Sequence, residues 1–243
     1  MKKFSFSNKE IDAAKVSDNE WLRFVRTKEA EIALEIANRR FGFALELGAG
    51  NGGQSEILST ACDKLICTDV DPDSHKWMSG SSFLDRQKHN VEYRVVDAQD
   101  LSEFDDGTFD LIFSSNMLEH VPDVMTCLAE CRRVLKKDGV MLHSMPGRAW
   151  KVFHHLLMFV RLFPRVWRLP RIHGVSKSHF RELYEFGPNV WADKFSAADL
   201  YVEDIIGMPF YVGHGNRFVP LTKLGNKLGL SATFLFVVKG SSK

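Results

Sequence analysis

The stretch that decides the fold is Phe43-Ala44-Leu45-Glu46-Leu47-Gly48-Ala49-Gly50-Asn51-Gly52-Gly53. A short apolar run that carries one acid breaks into closely spaced glycines, and residues 54–58 then have the pattern of a helix start. Strand, glycine turn and helix together bring a nucleotide-like ligand against bare backbone, because glycine tolerates positive φ and has no Cβ. The N-terminus of the following helix adds unpaired N–H groups and a partial positive charge.

Two spacings of these glycines fit two different cofactors. Gly48, Gly50 and Gly53 match the G-x-G-x-x-G dinucleotide fingerprint, with Asp69 at the distance expected of a ribose-binding acid. Glu46, Gly48, Gly50 and Gly52 match E-x-G-x-G-x-G, the first motif of class I S-adenosylmethionine-dependent methyltransferases. The glycines alone do not separate the two. The acid favours the second, because a carboxylate could face the ammonium of a methionine moiety but would repel a pyrophosphate.

Length and composition predict an ordinary soluble, cytoplasmic globular protein. The chain has 243 residues, of which 44% are hydrophobic and 26% charged, and its formal net charge is +1. We find no signal-peptide pattern and no apolar run of about 20 residues that could span a bilayer. The four cysteines have neither disulfide-framework nor C-x-x-C spacing. Cys127 and Cys131 would share a helix face without a nearby histidine, so the sequence predicts buried thiols and no metal site.

Strands and helices alternate along the chain, which predicts a parallel sheet with right-handed crossovers. The predicted strands are residues 43–47, 64–69, 91–98, 109–114 and 140–144, and a predicted helix at 123–136 ends at a Lys-Lys-Asp-Gly sequence. Ligands of such sheets bind beyond the carboxyl ends of the strands. The polar or glycine residues at those ends are Gly48, Asp69, Asp97, Asn116 and His143.

Residues 43–145 resemble class I S-adenosylmethionine-dependent methyltransferases, in the broad group that includes the quinone-biosynthesis enzymes. The resemblance rests on Leu-Glu-Leu-Gly-Ala-Gly-Asn-Gly, Thr-Asp-Val-Asp-Pro, Val-Asp-Ala-Gln-Asp-Leu, Gly-Thr-Phe-Asp-Leu-Ile, Leu-Glu-His-Val and Arg-Val-Leu-Lys-Lys-Asp-Gly-Val. It implies an α/β fold with a Rossmann-like seven-stranded sheet, mostly parallel with an antiparallel last strand. Residues 200–206 and 233–238 fit the last two strands.

The resemblance also implies which residues contact S-adenosyl-L-methionine. Glu46 would order the glycine loop near the amino group, and Asn116 and Leu118 would line the mouth after the fourth strand. The remaining contacts follow the cofactor from its methionine to its adenine: the loop residues Gly48, Ala49, Gly50 and Gly52, the ribose ligand Asp69, and Val70, Asp97 and Ala98 around the adenine.

The chain divides into four predicted segments. These are an N-terminal helical segment (1–40), the cofactor-binding core (41–145), a substrate cap inserted after the fifth strand (146–199) and the final strands (200–243). The insertion is unusual, because Gly139 through Arg181 contains no Asp or Glu while it is rich in Arg, Lys, His, Trp and Phe.

Four interpretations of this basic, aromatic insertion stay open. Its cations can be solvated on a structural cap whose aromatics pack inward. A helix within 148–171 can lie on a membrane surface, which would make the protein peripheral at the inner membrane and suit a lipid-linked acceptor. The cations can instead bind a soluble anionic acceptor or, less readily, RNA. Nucleic acid is disfavoured because the chain is nearly neutral and has no recognisable RNA-binding module.

The predicted chemistry is methylation of a small or lipid-linked acceptor, such as a saccharide or a quinone-like molecule, on oxygen or carbon. Motifs for nucleobase methylation and for a catechol-type magnesium site are missing. A hydroxyl acceptor needs a base, and histidine is best matched to neutral pH. His143 or a cap histidine such as His173 is the candidate, whereas His120 is assigned to ordering its turn. The alternatives are an NAD(P)-dependent oxidoreductase and a non-catalytic cofactor-binding partner protein.

Overall fold

The computed structural model describes residues 18–50, 52–73, 89–152, 172–208 and 231–241, with side chains from Leu22 onward. Among these residues, a 3₁₀ helix at Leu118–His120 follows the fourth strand. The helices are α1 (Asp18–Ala37), α2 (Ser55–Leu58), α3 (Val124–Val134), α4 (His179–Glu185) and α5 (Pro188–Ala197). The strands are β1 (Phe41–Leu47), β2 (Cys62–Asp69), β3 (Val91–Val95), β4 (Phe109–Ser115), β5 (Leu135–Pro146), β6 (Leu200–Met208) and β7 (Thr233–Gly240).

The strands form one seven-stranded sheet in the order β3-β2-β1-β4-β5-β7-β6. Strands β1 to β5 pair in parallel, whereas β7 is antiparallel to both of its neighbours, β5 and β6. The predicted fold class, a mostly parallel Rossmann-like sheet with an antiparallel last strand, is confirmed. The order reverses between β1 and β4, and open parallel sheets bind their ligands at such a reversal.

Helices cover both faces of the sheet, so its central strands are buried on two sides. The side chains of β1 alternate between two hydrophobic clusters, because successive residues of a strand point to opposite faces. Leu45 and Leu47 join Leu128 of α3 and Phe195 of α5. The other face of the strand contributes Ala44 to the cluster that contains α1. This burial fixes the register of the strands and therefore the positions of the loops after them.

The structure corrects the predicted boundary between the helix at 123–136 and the strand at 140–144. The helix predicted at 123–136 ends at Val134, and Leu135 is already paired with Phe109 of β4. Leu135 is buried, and Lys136 forms an ion pair with Asp110 of β4 over 3.0 Å. These strand contacts outweigh the helix-ending signal of the lysines and glycine. At its other end, β5 continues past His143 to Pro146.

Only the two ends of the predicted cap, 146–152 and 172–199, lie within the described residues. Most of the basic stretch 148–171 lies outside them, so the membrane-surface prediction is not examined by the structure. Two cations of this stretch lie within the described residues, and both contact the protein. Arg148 donates hydrogen bonds to the carbonyls of Leu183 and Tyr184. Lys151 forms an ion pair with buried Glu182 over 2.5 Å. None of the described helices is long and apolar enough to cross a membrane.

Candidate functional site

A cavity of about 520 Å³ opens where β1, β2 and β4 end and where the chain leaves β3. It is lined by Gly48, Thr68, Asp69, Val70, Val96, Asp97, Ala98, Gln99, Asn116, Met117, His120, Val121 and Pro122. Its volume lies within the range of about 300–1,000 Å³ that is usual for small-molecule sites. The strand ends that the sequence predicts to converge therefore meet at one cavity, with His143 as the exception.

The glycine loop after β1 takes a conformation that side chains oppose. Gly48, Gly50 and Gly52 have φ of 66°, 52° and 72°, in the left-handed region. A Cβ on Gly48 would collide with the side chain of Met117, which also lines the cavity. At Gly50 a Cβ would meet no atom within 4 Å. Of Gly48 and Gly50, only Gly48 is therefore needed for close packing at the cavity wall.

Asp69, the last residue of β2, lies on the cavity and holds the loop with its carboxylate. Oδ2 accepts a hydrogen bond of 2.9 Å from the Gly50 N–H, and Oδ1 accepts one of 3.0 Å from the Asp71 N–H. The loop backbone is tied to the same strand, because the Ala49 N–H donates to the Thr68 carbonyl over 2.9 Å. Ala49 itself is buried and does not line the cavity.

An apolar wall and a second acid complete the side of the cavity near β2 and β3. Val70 is 65% exposed although it is aliphatic, and its side chain lines the cavity beside Ala98. Asp97 accepts from the backbone N–H of Gln99 at 2.9 Å and from its side-chain amide at 3.1 Å. An exposed apolar side chain at a cavity wall suits a planar ring, and the carboxylate beside it suits a hydrogen-bond donor.

Glu46 lies beneath the glycine loop rather than at the cavity. Its carboxyl group is buried, and Oε2 accepts a short hydrogen bond from Ser55 at the start of α2. Burial raises the pKa of Glu46 to about 7, because the charged form loses its hydration. The residue therefore joins β1 to α2 under the loop. That geometry fits the predicted ordering of the loop, but it gives the carboxylate no contact with the cavity.

A cation that the sequence analysis missed lies beside Asn116. The guanidinium of Arg26, on α1, donates to Ser115 Oγ over 3.0 Å and to buried Glu29 over 2.9 Å. The carboxamide of Asn116, oriented with its oxygen toward Arg26, accepts from the same guanidinium. Asn116 has φ of 48° and lines the cavity. Helix α1 thus brings a positive charge to the edge of the cavity, as a cover of the site would.

His143 does not reach the cavity, contrary to the expectation for a catalytic base. Its ring is fully buried. Nδ1 shares a hydrogen bond of 2.8 Å with Ser114 Oγ, and the ring stacks on that of Phe195 with the ring centroids 5.5 Å apart. Burial lowers the pKa of His143 to about 3. Because β5 continues for three residues beyond it, this side chain lies in the sheet instead of beyond its edge.

His120 and His173 lie together at the cavity instead. Their Nε2 atoms are 3.2 Å apart although 53 positions separate them, and His120 lines the cavity. Burial lowers the pKa of His120, which keeps its imidazole neutral and able to accept a proton at neutral pH. Oε1 of Glu119 lies 3.5 Å from His173 Nε2 and 3.9 Å from His120 Nε2. The three residues form a compact polar cluster, which we call the histidine–glutamate cluster.

The backbone around residue 174 fixes His173 in this cluster. The N–H of Val175 donates to the Glu119 carbonyl over 3.1 Å. Gly174 has φ of 68° and lies so close to that carbonyl that a Cβ would collide with it. The N–H of His173 donates to Oε1 of Glu182 over 3.0 Å. The described part of the cap that begins at residue 172 is thereby docked onto the 3₁₀ helix that follows β4.

A second cavity, of about 380 Å³, adjoins the first through Val121 and Pro122, which line both. Leu118, predicted at the mouth of the cofactor site, is buried in the core and lines this second cavity instead. Aromatic side chains and cations surround it together with Glu119 and Glu185; they are Phe186, Trp191, Lys177, Arg181 and Lys194. The cluster thus lies between the two cavities, with His120 on the first and Glu119 on the second.

Comparison with known proteins identifies the family of the central region. Residues 45–143 match the model of a family described as a methyltransferase domain. Over 216 residues the chain is 26% identical to a ubiquinone biosynthesis O-methyltransferase of Xanthomonas oryzae, covering 84% of this chain and 85% of the relative.

Solved structures share the fold at low sequence identity. A methyltransferase dependent on S-adenosylmethionine from Aquifex aeolicus superposes with a TM-score of 0.60 at 14% identity, covering 96% of this chain and 98% of the other. A Pyrococcus horikoshii protein gives 0.62 at 18% identity, covering 98% and 100%.

Four functional candidates were not predicted from the sequence, and the reason differs among them. Met117 and Gln99 adjoin predicted residues, so the same motifs could have indicated them. Arg26 and Glu119 depend on contacts between elements far apart in the chain. The only sequence signal for Glu119 is its place beside His120 in Leu-Glu-His-Val, where an acid next to a histidine is too common to indicate a site.

Proposed function

Because the chain is a class I S-adenosylmethionine-dependent methyltransferase, we propose that it methylates a hydroxyl oxygen of a small aromatic acceptor that carries an anionic group. We propose oxygen as the methylated atom because the imidazoles of His120 and His173 lie together beside the cofactor cavity. A carbon or amine acceptor has less need of such a group, whereas a hydroxyl must lose its proton as the new bond forms.

The cofactor half of the proposed site consists of the strand ends. Gly48 offers bare backbone to the methionine end, with Gly50 and Gly52 shaping the loop around it. The carboxylate of Asp69 exchanges its Gly50 contact for the ribose hydroxyls. Val70 and Ala98 enclose the adenine, and Asp97 accepts from its amino group. The cavity volume, the exposed Val70 and the free approach to Gly48 fit the cofactor.

Arg26 and Asn116 hold the methionine end of the cofactor. A methionine moiety presents a carboxylate, and the guanidinium of Arg26 is a cation at the edge of the cavity, 27% exposed in its side chain. Guanidinium groups bind carboxylates with two parallel hydrogen bonds, so this pairing also fixes orientation. Glu29, which binds Arg26 from behind, keeps the guanidinium in place.

The second cavity binds the acceptor. Its aromatic residues Phe186 and Trp191 suit a ring, and the cations on its wall suit an anionic substituent. Of these cations, Arg181 is paired with Glu185 at 2.8 Å and Lys194 lies over the Trp191 ring at 4.1 Å. The relative from Xanthomonas, named for ubiquinone biosynthesis, supports a quinone-like ring as the acceptor class.

The protein's own contribution to the reaction is positioning, exclusion of water and removal of a proton. The bound cofactor supplies a methyl group already activated on a sulfonium. Transfer would form a C–O bond to the acceptor and break the C–S bond of the cofactor, whose electron pair would stay on sulfur. The hydroxyl proton leaves toward the imidazole pair. Burial lowers the pKa of His120, which favours the neutral imidazole that can accept this proton.

The test is a methyl-transfer assay with a panel of phenols and catechols, each compared with and without a carboxylate. We expect release of S-adenosylhomocysteine with an aromatic acid acceptor, and a product methylated on oxygen by NMR. Substituting His120→Phe should lower kcat by about 10²–10⁴-fold, the usual contribution of an acid–base group. Methylation of a carbon, or cofactor binding without turnover on any acceptor, would overturn the proposal.

The matched control is His89→Phe, because His89 is an exposed histidine that is not among the residues lining the cavity. Its activity should equal that of the wild type. The variants His173→Phe and His143→Phe separate the two original candidates for the base. We expect the first to lose activity with unchanged affinity for the cofactor, and the second to change stability while its specific activity is retained.

A further inference from the structure

We infer that Glu119, His120 and His173 form a site for one divalent transition-metal ion, of which Zn²⁺ is the representative, on the acceptor side of the cofactor cavity. The inference rests on the proposed function for its purpose, since the ion would bind the acceptor oxygen. Its evidence is independent of that function and consists of geometry, burial and ligand type. The sequence predicted no metal site, because His173 is 53 positions away from His120.

The spacing of the three ligand atoms is close to that of a tetrahedral site. Zinc binds histidine nitrogen and carboxylate oxygen at about 2.0–2.2 Å, which places two ligands of a tetrahedron about 3.3–3.6 Å apart. The distance between the two Nε2 atoms is 3.2 Å. Oε1 of Glu119 lies 3.5 Å and 3.9 Å from them. One ligand atom from each of the three residues lies within 4.8 Å of the other two, which is close enough for a single ion to contact all three.

Burial of Glu119 supplies the second argument. The side chain is only 3% exposed, and neither of its carboxylate oxygens has a hydrogen-bond partner among the described residues. A buried carboxylate without a partner is strongly unfavourable, and proteins avoid it unless a cation or donor balances it. A direct hydrogen bond between the two imidazoles would account for their 3.2 Å contact, but it would leave Glu119 unbalanced. A metal ion accounts for both features.

The surrounding backbone holds the ligands rigidly. Glu119 and His120 are adjacent in the 3₁₀ helix after β4. His173 is fixed by the Val175 hydrogen bond to the Glu119 carbonyl, the close approach of Gly174 and the Glu182 contact to its own N–H. The ring of His173 also packs at 5.2 Å from Trp150 and 6.1 Å from Phe186. Preformed ligands of this kind avoid the cost of ordering them when the ion binds.

The ligand set selects the class of ion. Two imidazoles and one carboxylate suit Zn²⁺, Fe²⁺, Co²⁺ or Mn²⁺, whereas Mg²⁺ and Ca²⁺ prefer sets made of oxygen. Three protein ligands also leave a coordination position open, as catalytic zinc sites do and closed structural sites do not. His120 faces the cofactor cavity and Glu119 the acceptor cavity, so the open position serves a molecule that lies between them.

The ion would make the acceptor hydroxyl acidic at neutral pH. A hydroxyl oxygen bound to a divalent cation loses its proton to water more readily, as zinc-bound water does. The resulting oxyanion attacks the methyl carbon, and the products are the methyl ether and neutral S-adenosylhomocysteine. No change of oxidation state occurs. In this arrangement the two imidazoles act as ligands of the ion, and the proton goes to solvent instead of to them.

The deciding experiment is titration of the chelator-treated full-length protein with Zn²⁺ by calorimetry, without cofactor or acceptor. We expect one equivalent to bind with micromolar or tighter affinity. Glu119→Gln and His173→Ala should each weaken binding by about 10–100-fold, and His89→Ala should leave it unchanged. His173→Ala alters a partly exposed side chain, so it remains informative if Glu119→Gln fails to fold. Binding of Co²⁺ should give visible absorption bands with the intensity that is typical of tetrahedrally coordinated Co²⁺.

Two outcomes overturn the inference: no zinc binding at micromolar concentration, or binding equal in the wild type and in both ligand variants. Methyl transfer measured in parallel distinguishes this failure from failure of the proposed function. Undiminished O-methylation by the metal-free protein refutes the metal site and leaves the imidazole pair as proton acceptor. Tight zinc binding that the ligand variants abolish, together with no O-methylation of any acceptor, refutes the proposed function and retains the site.

Discussion

The N–H of Gly50 donates a 2.9 Å hydrogen bond to Oδ2 of Asp69, which joins the loop after β1 to the end of β2. The second carboxylate oxygen accepts from the Asp71 N–H, so both oxygens are already oriented before any ligand binds. Gly50 contributes through its backbone alone. A carboxylate held in this way can bind a ribose diol without first being ordered, and its removal affects both the loop and the ligand.

Substituting Asp69→Ala should weaken S-adenosylmethionine binding by about 10–100-fold, because hydrogen bonds to a charged group contribute about 1.5–3 kcal/mol. Isothermal titration with S-adenosylmethionine and S-adenosylhomocysteine measures the change, with NADH as the control ligand. Asp69→Asn keeps the size and one acceptor oxygen and should lose less. Equal affinity of Asp69→Ala and wild type would remove the carboxylate from the cofactor site.

Substituting Gly48→Ala should reduce cofactor affinity by at least about tenfold. The new Cβ collides with Met117, a wall of the cavity, and the residue also keeps a left-handed φ that costs roughly 1–2 kcal/mol. Gly107→Ala is the matched control, since Gly107 has φ of 62° but open space around its Cβ position. It should lower thermal stability with unchanged affinity. If both variants bind equally well, the close packing at Gly48 is irrelevant to the site.

Glu46 should make the protein less stable as the pH rises through neutrality. Its folded-state pKa is about 7, above the ordinary value of 4.5. The folded protein therefore holds a proton that the unfolded chain has lost, and this contribution is full below pH 4.5 and disappears as the pH rises through 7. Urea unfolding of wild type and Glu46→Gln at pH 5 and pH 8 isolates the effect. The wild type should lose up to about 3 kcal/mol more than the variant.

His143 should make the protein less stable as the pH falls, whereas Glu46 acts as the pH rises. Its folded-state pKa is about 3, against an ordinary value of 6.5. Between these two pH values the unfolded chain binds a proton that the folded protein does not bind. The stability that its neutral form allows is complete above pH 6.5 and is lost as the pH falls toward 3.

The measurement is the free energy of unfolding at pH 7 and pH 5 for the wild type and His143→Gln. The wild type should lose about 2 kcal/mol more than the variant over that interval, since one pKa unit corresponds to about 1.4 kcal/mol. Parallel losses in both proteins would mean that the imidazole is charged, or reached by water, in the folded state.

The convergence of strand ends on one cavity was predictable because it depends on local sequence and on the geometry of parallel sheets. Gly48, Asp69, Asp97 and Asn116 follow directly from apolar runs, and the carboxyl ends of parallel strands share one edge. The same rule failed for His143, whose strand continues to Pro146 through pairing with β7. Sequence patterns do not reveal where a buried strand stops, because residues buried on both faces lose their alternation.

The histidine–glutamate cluster and Arg26 were not predictable for a different reason. Glu119, His120 and His173 meet through the docking of the segment around Gly174, and no local pattern indicates which distant residue a histidine will face. Arg26 depends likewise on how α1 lies against the end of β4. Contacts of this kind come from tertiary packing, which motif spacing does not encode.

The hydrogen bond from the Val175 N–H to the Glu119 carbonyl also affects which parts of the sequence can change independently in evolution. It fixes Val175 against the 3₁₀ helix after β4, whereas every residue that lines the first cavity lies before position 123. The part of the second cavity formed by residues 175–194 is therefore separate in sequence from the strand ends. Substitutions in that part can change the proposed acceptor site while the strand ends at the first cavity stay the same.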